Sequence, residues 1–372
     1  MVLQLCGKGE KAVGKRFKGI DILRIIAMLF VVELHLLSHG GVLETVSKGT
    51  LQYAIAYLYE TVSYCGVAIF GIITGFVSYS KPHKNRGCRF FSLWIEVVFY
   101  SLLLTVSISL TTIRSVDVSA ILECFFPIAR QTYWYFTTYF ILFLIIPFLN
   151  RIIFENTAFQ NTAFLCFEIV MLYYSHTLTG LFAISMLTLC YLIGALIRKY
   201  NIQCAINKRK CVVCYFTLMI ITYLWTVLIK PLNSAIGGIL MRYDSPTIIG
   251  MAFCIVVFFA QIETLPKPFN GLSTLGKYAF AIYLINDNPL FRKCFIENKF
   301  APLSNGTVCL IVSIPVIAVI FSLICVLIDM LRTKLFGWLH VSSIQDKIFE
   351  LWNRLAQVTY KCLRLLILKK DS

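Results

Sequence analysis

The chain has 372 residues, of which 59% are hydrophobic and only 14% charged, with a mean hydropathy of +0.79. A water-soluble domain carries about a quarter charged residues, so this composition excludes one and points to helices surrounded by lipid. The net charge of +16 sits in loops and tails beside apolar runs, a pattern that reports membrane topology and gives no reason to invoke nucleic acid.

Residues 1–18 form a basic tail with Lys8, Lys11, Lys15, Arg16 and Lys18. The apolar run that follows passes through Glu33 and His35 and has no small-residue cleavage site, which predicts a retained first helix rather than a signal peptide. Apolar segments fall near 19–37, 53–80, 91–113, 133–150, 162–176, 178–197, 211–230, 247–262, 275–291 and 306–330. The fifth and ninth are short against the ~20 residues of a normal span. An all-α polytopic membrane protein of about ten transmembrane helices is therefore expected, with both termini cytoplasmic. On that layout 25 of the 34 Lys and Arg lie on the cytoplasmic side and 8 outside, as the positive-inside rule requires.

Domains are read as the tail 1–18, a transmembrane domain 19–330 and a cytoplasmic amphipathic tail 331–372. In the last part Leu335, Trp338, Leu339, Ile344, Ile348, Leu351, Trp352 and Leu355 recur near helical spacing. Lys347, Arg354, Lys361 and Arg364 fall between them, which predicts a helix lying on the inner leaflet. The 14 cysteines show no disulfide framework, and Cys211-x-x-Cys214 lacks the further ligands of a zinc site, so no metal is expected.

Ionisable groups inside a span are expensive and mark function by default. The first helix carries Asp21, Arg24, Glu33 and His35. Eleven residues separate Arg24 from His35, which puts both on one helix face about 16 Å apart along the axis. A fixed cation near the cytoplasm suits a phosphate, and an imidazole three turns deeper suits general-base work on a hydroxyl. A lone helical His is more often a satisfied interior residue than a catalyst, but the aligned Arg24 shifts the balance, and a long ligand would connect the two. Glu33 points to another face. Glu60 lies at roughly the depth of His35 and either orients the imidazole or pairs structurally with a Lys or Tyr. Arg86 and Arg89, at i and i+3 after the second span, either clamp a phosphorylated cofactor or simply set topology.

Four stretches resemble the acyltransferase 3 family of membrane O-acyltransferases acting on glycans. FKGIDILRIIAMLFVVELHLLSHGG resembles its first helix, with Arg24, ten intervening residues and His35. GVAIFGIITGFVSYS at 66–80, followed by Arg86-x-x-Arg89, is similar to its second-helix segment and arginine pair. YWYFTTYFILFLIIPFLN at 133–150 looks like its Trp-and-Tyr helix, and GKYAFAIYLINDNPLFRK at 276–293 like its late Tyr-Leu-Ile-(His or Asn)-Asp-Asn-Pro stretch. The resemblance is greatest to capsule and exopolysaccharide acyltransferases of Gram-positive bacteria. It departs from the family at Ala68 and at Tyr139 or Thr138, where acidic residues are frequent, and at Asn286, where His is frequent.

The resemblance implies transfer of an acyl group, most often acetyl, from cytoplasmic acyl-CoA to a hydroxyl of a glycan or lipid-linked sugar outside a bacterial plasma membrane. His35 would be the catalytic residue, with Glu60 as its candidate partner, and Arg24, Arg86 and Arg89 would contact the CoA phosphates. Glu33, Trp134, Tyr139, Asn286 and Asp287 are candidates for the acceptor side. His35 would act as general base or carry the acyl group itself. A secondary transporter is the alternative class; it lacks support from any internal repeat or pair of broken helices. A glycan polymerase or flippase would need larger outer loops.

Overall fold

The computed structural model describes residues 17–79, 86–111, 118–176, 181–266, 271–343, and positions 345, 347, 348, 350, 351, 354 and 355. Lys8, Lys11, Lys15, Arg16, Ile344, Trp352, Lys361 and Arg364 lie outside the described residues, as do the side chains of Arg86 and Arg89. The described residues are helical and irregular, with no strand among them. The main helices are α1 (Lys18–Leu37), α2 (Leu51–Ser63), α3 (Gly66–Ser78), α4 (Arg86–Thr111), α5 (Trp134–Glu155) and α6 (Ala158–Ser175). They are followed by α7 (Phe182–Lys199), α8 (Lys208–Ile229), α9 (Pro246–Ala260), α10 (Ala279–Asn286) and α11 (Thr307–Trp338).

Each expected apolar segment falls on a helix. By length and composition, however, six described helical stretches are able to cross a membrane: Leu51–Ser78, Phe91–Thr111, Trp134–Glu155, Phe182–Lys199, Lys208–Ile229 and Thr307–Trp338. The 20-residue α1 is long enough but carries Lys18, Asp21, Arg24 and Glu33. The 15-residue α9 is apolar but short. Membrane chemistry is visible in the surface: Val213, Phe216, Ile220, Leu224 and Leu228 of α8 are exposed, as are Val312, Val316, Val319 and Leu323 of α11. These faces have nowhere to go but lipid.

Three boundaries differ from the expectation. The second segment breaks after Ser63, where the hydroxyl turns to the Glu33 carboxylate at 2.5 Å and Gly66, a weak helix former, follows. The ninth ends at Asn286, because Pro289 disfavours helical backbone at Asn288, whose side chain instead caps Leu290 and Phe291. The last segment runs on to Trp338, since no breaker intervenes before Gly337. Leu335 and Trp338 therefore continue α11 and do not open a separate surface helix.

Helix α1 is the hub, packed against α2, α3, α9, α10 and α11. Elsewhere small residues set the approach. A Cβ on Gly75 would lie 1.9 Å from the Tyr191 carbonyl oxygen, and one on Gly194 1.9 Å from that of Ile72. The α3–α7 crossing is thus backbone on backbone, the packing that membrane helices favour where no hydrophobic effect drives them together. A buried polar cluster joins α4 to α11: Tyr100 donates to Asp329 at 2.8 Å, and Arg332 bridges Asp329 and Glu96.

Candidate active site

Helix α10 reaches its place through one glycine. A Cβ on Gly276 would lie 2.4 Å from the Asp21 carbonyl oxygen, so the Gly276–Tyr278 turn sits directly on the first turns of α1. Ten residues later Asn286 meets His35: its Nδ2 lies 2.9 Å from His35 Nδ1. The two elements therefore run side by side in the same direction. Gly276 and Asp21 mark one end, and Asn286 and His35 the other.

Between these ends lies a cavity of about 330 Å3, and both Arg24 and His35 line it. Arg24 is oriented by Asp21, with Nη1 2.6 Å from Oδ1. Lys277, projecting from the turn that Gly276 allows, lines the same cavity and holds its Nζ 4.6 Å from the centre of the Tyr278 ring. Met28, Val31, Phe70, Tyr135, Phe280 and Tyr283 supply apolar and aromatic wall. No carboxylate lines it among the described residues. The two cations Arg24 and Lys277 share this wall with the aromatic rings and with the imidazole.

His35 has His39 for its other neighbour, the rings meeting edge to face at 5.0 Å. His39 lies beyond the end of α1, and burial followed by the nearby Arg292 holds its pKa below the usual histidine range.

The remaining candidates separate into two groups. Trp134 and Tyr139 line the cavity, and Tyr139 stacks on Tyr135 at 6.5 Å. Glu33, Glu60 and Asp287 do not line it. Glu33 is spent on Ser63. Glu60 is buried in a different setting, among Tyr57, Tyr64, Tyr243 and Lys230, so the hydrogen-bonding partner of His35 in this structure is Asn286. Asp287 pairs with Arg292 at 3.2 Å. Arg86 and Arg89 open α4, whose Leu93 reaches the cavity wall.

Sequence reading missed Lys277 and Tyr243 as lining residues, and assigned Asn286 to the acceptor rather than to His35. Lys277 has a signal, a basic residue directly after a glycine at the head of a short apolar segment. Tyr243 had none, because a single Tyr in a loop has no pattern.

A membrane-embedded helical core that brings a cation and an imidazole into one elongated cavity defines a class, a multi-pass membrane protein with an internal reaction chamber. The family is given by comparison with known proteins. A family model described as an acyltransferase domain matches residues 17–328, and the chain belongs to that acyltransferase 3 family. No curated protein and no solved structure matches the chain. The protein is thus a multi-pass membrane acyltransferase.

Proposed function

We propose that the protein transfers an acyl group, acetyl in the first instance, from cytoplasmic acyl-CoA to a hydroxyl of a cell-surface or capsular polysaccharide. The carrying observation is the cavity that Arg24 and His35 share, three helical turns apart on α1, with Lys277 in its wall and no carboxylate there among the described residues. A phosphorylated donor with a long pantetheine arm has this distribution of charge and reach. On this reading both termini are cytoplasmic, the membrane is a bacterial plasma membrane, and Arg86 and Arg89 assist at the phosphates.

In the reaction, Nδ1–H of His35 is donated to Asn286, to its backbone carbonyl and, with the side-chain amide turned so that Oδ1 rather than Nδ2 faces the ring, to the side chain. This leaves Nε2 with its lone pair. Nε2 takes the proton of the acceptor hydroxyl as its oxygen attacks the thioester carbonyl. The C–S bond breaks, the imidazolium returns its proton to the departing CoA sulfur, and the products are an O-acyl ester and CoA thiol. Trp134 and Tyr139 border the acceptor.

The test uses protein in nanodiscs with radiolabelled acetyl-CoA, comparing wild type with His35→Ala. Label passing to glycan, or slowly to acetate, only in the wild type supports the reading. Absence of acetyl-CoA binding in a folded wild type overturns it and favours a transporter.

A further inference from the structure

Helix α9 has 15 residues, short for a full span, and its place beside α1 is fixed at both ends. At its carboxyl end the Gly19 amide donates to the Ile262 carbonyl at 3.2 Å. At its amino end Tyr243 packs on Tyr64, ring centres 4.8 Å apart, at the break between α2 and α3. Ser63, one residue before Tyr64, holds Glu33 of α1. So α9 covers α1 from Gly19 to Glu33, about 21 Å, and then stops. Helix α2 continues outward from that level for its full 13 residues, about 20 Å. The turn before α9 therefore lies at the depth of His35, well below the outer end of α2.

That turn is strongly polar. Asp244 receives Arg242 Nε at 3.0 Å and lies 2.7 Å from Nε2 of His176, which follows α6. The side chains are 46% exposed for Arg242, 32% for His176 and 18% for Asp244, so all three reach the protein surface. Irregular backbone and charge at membrane depth persist only inside protein or beside a water-filled space. Tyr243 faces inward from the same turn: it lines the cavity that holds His35 and sits 6.0 Å from the half-exposed Trp134, with the rings tilted by 31°. Aromatic faces beside a guanidinium, a carboxylate and an imidazole are the chemistry that recognises a sugar, whose C–H faces are apolar and whose rim is hydroxyl.

We propose that residues 242–244 with His176 and Trp134 form the acceptor subsite, an outward depression in which one sugar ring of the glycan rests on Tyr243 and Trp134. The inference deepens the acyl-transfer reading and rests on it. Arg242 and Asp244 hold the ring's hydroxyls, and the acceptor oxygen reaches His35 from the outer side while the donor enters past Arg24 and Lys277. Arg242, Asp244 and His176 also lock the turn, so that Tyr243 keeps its angle to Trp134.

The experiment takes the full chain in nanodiscs, radiolabelled acetyl-CoA, and surface polysaccharide of the native cells freed of its esters by mild base. Tyr243→Ala and Arg242→Ala are each expected to raise KM for polysaccharide roughly tenfold, with kcat within about threefold of wild type. Tyr243→Phe keeps the ring and should stay within about threefold of the wild-type KM. Size-exclusion profiles and circular dichroism establish that each variant is folded. An unchanged polysaccharide KM in both alanine variants overturns the subsite. So does wild-type protein that hydrolyses acetyl-CoA in a His35-dependent way yet never labels the polysaccharide. Wild type with no His35-dependent consumption of acetyl-CoA overturns the underlying acyl-transfer reading instead.

Discussion

Asn286→Ala probes the junction on which the proposed chemistry turns. The amide is 1% exposed and lies 2.9 Å from His35 Nδ1, so alanine removes the side-chain partner of the buried imidazole and leaves only the backbone bond to hold it. A buried hydrogen bond lost in this way costs about 1–3 kcal/mol. If the contact persists in the transition state, kcat falls by about five- to 150-fold. The donor KM should move little, because Arg24 lies three turns from His35 and Lys277 nine residues before Asn286 on the partner element. Single-turnover release of label from acetyl-CoA in nanodiscs separates the two parameters. Asn286→His, which returns a ring nitrogen to the contact, should recover part of the rate. An unchanged kcat in Asn286→Ala, or a loss confined to donor KM, would refute the assignment of Asn286 as the residue that positions His35.

Other perturbations follow from the same geometry. Gly276→Ala puts a methyl 2.4 Å from the Asp21 carbonyl oxygen, where backbone meets backbone, and should cost about 1–3 kcal/mol while parting α10 from α1. Thermal melting in detergent and donor turnover should both drop. Arg24→Gln should raise donor KM about tenfold or more and Lys277→Gln, on a more exposed side chain, about two- to fivefold, each read by titrating acetyl-CoA. Acetyl-pantetheine, which lacks the adenosine phosphates, should show neither effect. Gly75→Val drives side-chain atoms into the Tyr191 carbonyl, 1.9 Å from the new Cβ, and should abolish a monodisperse fold by size exclusion. Burial opposes ionisation of Asp244, yet hydrogen bonds from His176 and Arg242 outweigh it and hold the carboxyl below its usual range. A depressed folded pKa means that the stabilisation is complete above about pH 4 and is lost as pH falls through the folded value. Melting temperatures of wild type and Asp244→Asn should differ at pH 7 and converge in acid.

The sequence by itself determined the class of the molecule. Long apolar segments and a charged fraction of only 14% leave a helical membrane protein as the physical solution. It also determined that Arg24 and His35 share a face, because helical periodicity is a local property of eleven residues on one element. Asn286 shows where this reasoning ends. Its type and its neighbours were legible, but its partner lies 251 positions away, and only the close approach permitted by Gly276 brings it to His35. Glu60 shows the converse: a similar depth on the sequence suggests it as a partner for His35, whereas in the structure its carboxyl faces Lys230 and the tyrosines. Depth is set by counting residues from a charged end, which a sequence permits. The direction in which a side chain points across a helix interface is set by packing with distant segments. Tertiary structure alone therefore decided which groups surround the imidazole, that Lys277 joins Arg24 in the cavity wall, and that a polar turn precedes α9.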